Sequence, residues 1–264
     1  MEKKISIVIP TFNSAKYIEQ TVKSILKQCY YNWEVIVCDN NSSDNTIQII
    51  KQLIKRDSRF RFIIKKDNGV AEALNRGFKE STGKILCWLN SDDIFLNVRT
   101  LKIVNKFINE NYKFVNGNFL NINSQGEVIK SFYSYLPNFK IKKIFYYNQI
   151  FTGSFFFSRD IFNSFKKFNE KNKYSFEYEL IIHCLKNYHG KHVNEFLSCF
   201  RILPSSLSSN KKKLKEEFYN ILKKENLIYS NNLILRIYAM YISKNLIFSF
   251  LNSLFDKHKG KKIY

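Results

Sequence analysis

Four short apolar runs, each separated from the next by an amphipathic stretch, commit the first ninety residues to a parallel sheet flanked by helices. The runs are 5–10, 34–38, 61–64 and 85–89. The stretches between them, 14–28, 44–55 and 70–79, space their apolar residues helically: Ile18, Val22, Ile25 and Leu26 in the first, Ile47, Ile50 and Ile54 in the second. Ser14 is placed to cap the first helix. Strands joined by helices are parallel and buried on both faces, and ligands bind beyond their carboxyl ends.

Those ends carry the polar chemistry. The fourth run, Leu86-Cys87-Trp88-Leu89, passes straight into Asn90-Ser91-Asp92-Asp93. Magnesium and manganese take carboxylate, water and phosphate oxygens, so one or two aspartates suffice beside a diphosphate. The same tetrapeptide is also good turn and cap chemistry. At the tip of the second run Asp39 could accept hydrogen bonds from a nucleobase or ribose, while Ser42, Ser43 and Asp44 suit a turn and a helix cap. Neither Gly-x-Gly-x-x-Gly after the first run nor Gly-Lys-Ser/Thr occurs, which removes the common dinucleotide and P-loop readings.

Beyond Asp93 the pattern loosens. A helix is expected over 98–108, a strand opening at Phe114-Val115, a turn at 123–126, an apolar strand over 151–157, and a helix over 177–187 after a shorter one. Residues 137–147 are basic and aromatic, suited to a mobile loop near a ligand or to a solvated amphipathic stretch. From Lys211 the chain has 12 basic and 4 acidic residues, and 227–255 read as an amphipathic helix or helix pair. Arg236 and Lys244 interrupt it, so it lies on a membrane or packs on its own domain or a dimer mate rather than spanning a bilayer.

Charge and cysteines narrow the setting. The net charge is +21, of which the first 100 residues carry only +5. Such a surface attracts anionic lipid headgroups and phosphorylated substrates, and no nucleic-acid-binding motif accompanies it. Five scattered cysteines resemble reduced core residues, the histidines have no metal-ligand spacing, and the start lacks a secretory apolar run. A cytoplasmic protein, peripheral on the inner face of the membrane, is the expectation.

Four blocks in order resemble the family 2 glycosyltransferases: Ser6-Ile7-Val8-Ile9-Pro10-Thr11-Phe12-Asn13, the stretch from Val35 to Thr46 around Asp39, Asn68-Gly69-Val70-Ala71-Glu72-Ala73-Leu74-Asn75-Arg76-Gly77, and Trp88-Leu89-Asn90-Ser91-Asp92-Asp93. The resemblance is strong over about residues 4–100 and weaker to about 209. It implies an α/β GT-A fold: a Rossmann-like, mostly parallel sheet in residues 1–209, with a nucleotide-binding half to 100, an acceptor half beyond, and a basic amphipathic helical tail over 210–264. It also implies a nucleotide-diphosphate sugar donor, a divalent metal (Mn²⁺ or Mg²⁺) and a glycan or lipid-linked acceptor. By the same resemblance Pro10, Thr11, Asp39 and Asn75 bind the donor, Asp92 faces its ribose and Asp93 its metal. Asn40-Asn41 stands where Asp-Gly is usual, and Asn90 where the first carboxylate is usual.

Downstream, Ser175-Phe176-Glu177-Tyr178-Glu179-Leu180 is similar to the family's catalytic-base block, with Glu177 as the base. Its bland alternative is a first-turn acid favoured by the helix dipole. Thr152-Gly153-Ser154 resembles the segment of small residues beside the sugar, and Arg201 in Phe200-Arg201-Ile202-Leu203-Pro204 the cation that meets the diphosphate, with a structural partner for an acid as its equal alternative. The implied reaction is inverting, non-processive glycosyl transfer in cell-surface polysaccharide synthesis. The processive Gln-x-x-Arg-Trp sequence is absent. The alternatives are an inactive GT-A-like binding or scaffold protein and a sugar nucleotidyltransferase.

Overall fold

The computed structural model describes residues 2–110, 112–133, 150–204, 206–207, 210–227, 256 and 258–263. The expectations for 137–147 and for the amphipathic helix or dimer contact beyond 227 lie largely outside them. β1 (Ile5–Thr11), β2 (Trp33–Asp39), β3 (Phe60–Ile64) and β4 (Ile85–Trp88) alternate with α1 (Ile18–Leu26), α2 (Thr46–Ile54) and α3 (Val70–Glu80). The remaining elements are β5 (Ile94–Phe95), α4 (Thr100–Asn109), β6 (Phe114–Ile122), β7 (Val128–Phe132), β8 (Phe155–Ser158), α5 (Arg159–Phe165), α6 (Glu177–Asn187), β9 (Gly190–Arg201) and α7 (Lys211–Lys224).

Among the described residues nine strands join one sheet in the order β3-β2-β1-β4-β8-β6-β9-β5, with β7 on β6. β1, β2, β3 and β4 run parallel, so their carboxyl ends share an edge. β8 enters antiparallel between β4 and β6, and β9 runs parallel to β6. Side chains alternate across the sheet. Ile5, Ile7, Ile9, Val35, Val37, Ile85 and Cys87 face a core shared with α1, α2 and α4. Val8, Ile36, Cys38, Leu86 and Trp88 face a second, aromatic core with α3, α5, α6 and α7.

Several local expectations shift for physical reasons. Helix α1 begins at Ile18 with Tyr17 at its N-cap; the Ser14 carbonyl accepts the N–H groups of Tyr17 and Ile18 in the preceding turn, but the Ser14 side chain caps no N–H group. Its hydroxyl is engaged with Ser91 at 2.6 Å. The strand expected from Phe151 starts at Phe155, since Thr152–Ser154 winds into a 3₁₀ turn. Gly190 opens the twelve-residue β9 where a Cβ would lie 2.1 Å from the Phe114 ring, so only glycine fits.

The tail is stitched back onto the sheet domain. Ile221 and Leu222 of α7 are buried in the second core, and Tyr178 of α6 lies 4.4 Å from Phe218, ring centre to ring centre. Asp256 accepts from the Ser131 N–H at 2.6 Å and its hydroxyl at 2.7 Å, tying the C-terminal end to β7. Among the described residues no helix is long and apolar enough to cross a membrane.

Candidate active site

The loops after β1, β2 and β4 wall a cavity of about 660 Å³. Pro10, Thr11, Phe12 and Asn40 line one part of it, and Asn90, Ser91 and Asp92 another. Asp39 stands directly behind Thr11, 1% exposed, and accepts from the Thr11 hydroxyl at 3.1 Å. Ser42 donates to it twice, from N–H at 2.8 Å and Oγ at 2.6 Å. The loop that provides Ser42 turns at Asn41, whose φ of 53° is left-handed. Asparagine tolerates that conformation better than other side chains, so it can stand where the family pattern carries glycine.

The turn after β4 divides its two aspartates. Asp92 lines the cavity, and burial raises its pKa while the Arg201 charge opposes the rise. Asp93, expected to meet a metal, does not line the cavity and is 0% exposed. One of its oxygens accepts the Arg201 N–H at 2.9 Å and the other the Asn90 Nδ2 at 2.9 Å. Burial, with Asp92 adding, pushes its pKa up as well. Asn90, an uncharged amide, thus donates to Asp93 where a third carboxylate would repel it.

Arg201 and Asn75 do not line the cavity, and for Arg201 the structural alternative holds. The Arg201 side chain is buried under the same turn, donating from Nε to the Asp92 carbonyl at 2.9 Å, from Nη1 to the Asn123 carbonyl at 2.9 Å and from Nη2 to Gln20 at 2.7 Å. Its guanidinium stacks over Tyr17. It braces the aspartate turn from behind rather than lining the cavity. Asn75 exchanges hydrogen bonds with the Phe168 backbone and donates to Glu170 at 2.9 Å, so it ties α3 to a loop whose Glu170 does line the cavity.

Glu177, the first residue of α6, lines the cavity. Desolvation pushes its pKa up to about 7, with the charge of Glu217 adding to the rise. A carboxyl poised there can take a proton near neutrality. The cavity therefore holds Pro10, Thr11, Asp92 and Glu177 of the residues expected from sequence. It also holds Asp67, which lies outside the set expected from sequence. Asp67 is ion-paired with Arg76 at 2.9 Å, receives the Gly69 N–H, and has a pKa raised by burial. Its position just before the Asn68-Gly69 turn was the available signal.

A mostly parallel sheet that ends in a cavity lined by acids, with one antiparallel strand inserted beside the fourth, is the GT-A arrangement of glycosyltransferases. The chain belongs to glycosyl transferase family 2, whose description matches residues 6–169, and it is a glycosyltransferase. The UDP-Glc:alpha-D-GlcNAc-diphosphoundecaprenol beta-1,3-glucosyltransferase WfgD of Escherichia coli is 29% identical over 268 residues, covering 98% of each chain. The GalNAc(5)-diNAcBac-PP-undecaprenol beta-1,3-glucosyltransferase of Campylobacter jejuni is 32% identical over 64% of this chain and 55% of its own. Coverage of other relatives is smaller: the chain spans 19% of an uncharacterized glycosyltransferase of Rickettsia bellii, at 34% identity over 49% of this chain. Among solved structures, S. aureus TarS 1-349 in complex with UDP-GlcNAc superposes with a TM-score of 0.67 at 20% identity, over 97% of this chain and 76% of that one. The mannosyltransferase PcManGT from Pyrobaculum calidifontis, in complex with GDP-Man and Mn²⁺, gives 0.65 at 15% identity over 91% and 69%. Those two likenesses establish the shared fold.

Proposed function

We propose that the protein transfers one glycosyl group, with inversion, from a uridine diphosphate sugar to a lipid-linked glycan acceptor. The observation that carries this reading is the sharing of one cavity by Asp92 and by Glu177, whose pKa is pushed up to about 7. Inversion needs a single base: Glu177 removes the acceptor hydroxyl's proton as that oxygen attacks the sugar carbon and the diphosphate departs from the other side. Thr11 suits the nucleobase end, and Asp39, buried behind it and outside the cavity lining, holds Thr11 and the Ser42 loop in place rather than meeting the base itself. The uridine donor and the lipid-linked acceptor draw support from the names of the Escherichia coli and TarS neighbours.

The cavity offers a divalent cation the carboxylate of Asp92, whose pKa burial lifts above its ordinary value while the Arg201 charge opposes the rise. Asp92 would hold such an ion beside the donor diphosphate, where a cation stabilises the leaving group's charge. The buried Asp93 keeps the turn in shape.

The test is a panel of UDP-glucose, UDP-GlcNAc and GDP-mannose with Mn²⁺, read by release of nucleoside diphosphate and by thermal shift, since a bound donor raises the melting temperature by mass action. Asp92→Asn should raise the Mn²⁺ concentration for half-maximal activity about tenfold or more, by analogy with lost ligand charge at other oxygen sites. No release and no thermal shift with any donor would remove the reading. The +16 carried by residues 101–264 further supports work at an anionic bilayer. Sedimentation with phosphatidylglycerol vesicles should therefore fall steeply between low and physiological salt, and salt-independent absence of binding would sink the membrane assignment.

A further inference from the structure

Glu217 lies in α7, beyond the stretch matched by the family description, yet it reaches the loop that delivers Glu177. Its carboxylate receives three consecutive backbone N–H groups: Lys173 at 3.0 Å, Tyr174 at 2.6 Å and Ser175 at 3.0 Å. A second tie runs beside it, from the Ser175 hydroxyl to the Leu214 carbonyl at 2.9 Å. Successive N–H groups converging on one anion form a concave nest, and charge-assisted hydrogen bonds of this kind are about twice as strong as neutral ones. Lys173, Tyr174 and Glu177 all line the cavity, so the loop being gripped is the wall of the site itself.

We infer that Glu217 is a positioning residue for the transfer: it fixes the Lys173–Ser175 loop to α7 so that Glu177 is presented to the acceptor hydroxyl. The inference rests on the reading of Glu177 as the base. It makes the tail helix a working part of the site rather than an appendage. Glu217 also sets the local field. Besides Glu217 of α7, the charged and titratable groups that line the cavity with Glu177 are Asp67, Glu170, Lys173, Tyr174 and Asp92, with Lys213 of α7 over the Tyr174 ring. Glu217 raises the Glu177 pKa, so removing its charge moves the acid limb of the rate profile to lower pH.

The test compares Glu217→Gln, Glu217→Asp and Glu177→Gln on the donor of the panel that the wild-type protein turns over. Glu217→Gln should lower kcat about tenfold, within the range for a misplaced reacting group, leave the donor KM within about twofold of wild type, as expected when only transition-state positioning is lost, and shift the acid limb down. Glu217→Asp keeps the charge but is one methylene short of the nest. It should lower kcat with the acid limb unmoved, and it carries the test if the glutamine variant does not fold. In the Glu177→Gln background, Glu217→Gln should cost nothing further. Amide exchange at 173–175 should accelerate in either Glu217 variant, independently of any activity. Wild-type kcat and acid limb in the Glu217 variants, with Glu177→Gln inactive, would overturn the positioning role and leave the base reading intact. Full activity in Glu177→Gln would instead remove the base reading, and unaltered exchange at 173–175 would remove the loop anchor by itself.

Discussion

Glu177→Gln should lower kcat about 10³-fold, inside the span expected for loss of a general base, while the affinity for nucleotide stays near wild type. The amide is nearly isosteric and keeps hydrogen bonds, but it cannot take a proton. In the wild-type protein the same carboxyl must be ionised to act, so kcat should fall as pH drops through about 7, the value to which desolvation pushes Glu177. Stability runs the other way. The folded pKa is raised above the ordinary 4.5, so the folded state prefers the protonated form; the stability this gives is complete below about 4.5 and lost as pH rises through about 7. Glu177→Gln removes that loss, so above pH 7 the variant should be more stable than wild type by no more than about 3 kcal/mol, from the size of the shift, and melt higher. An inactive but stabilised variant is the signature of a functional group held in an unfavourable place. Equal activity in the variant, or an acid limb near pH 4, would remove the assignment.

The sheet was legible because its signals are local. The parallel strands and the start of α6 at Glu177 follow from residue spacing within a few turns or strands. The aspartate turn shows where that legibility stops. Asp92 and Asp93 are neighbours of identical chemistry, and only the turn's path decides which carboxylate enters the cavity and which is covered by Asn90 and the Arg201 N–H. That path is held by Arg201, 108 residues away from Asp93 in sequence. Glu217 is 42 residues from Ser175, and nothing in its helical surroundings distinguishes it from Glu216. Asn75 falls in a block that was recognised correctly, but its partners at Phe168 and Glu170 come from the other half of the domain. Local pattern located the site, and long-range pairing assigned its members.

Arg201→Met should be the most destabilising change at the site. Methionine fills similar volume, yet it leaves the Asp92 carbonyl, the Asn123 carbonyl and Gln20 without their donors and removes a cation that lowers the pKa values of both Asp92 and Asp93. Removing one partner of a buried charged group costs about 3–5 kcal/mol, which for a domain of this size lowers the melting temperature by roughly 10 °C. The loss should deepen with pH. Without Arg201 the folded pKa values of both aspartates rise further, so the penalty is small where both are protonated and grows as pH climbs and they are forced to ionise while buried. Arg201→Lys should recover little, because a single ammonium cannot copy a planar fork donating in three directions. Melting curves of both variants between pH 4 and 8, set beside UDP titrations, separate the two roles available to this arginine. A brace loses stability ahead of UDP affinity, whereas a diphosphate-binding cation would lose UDP affinity with the melting temperature unchanged.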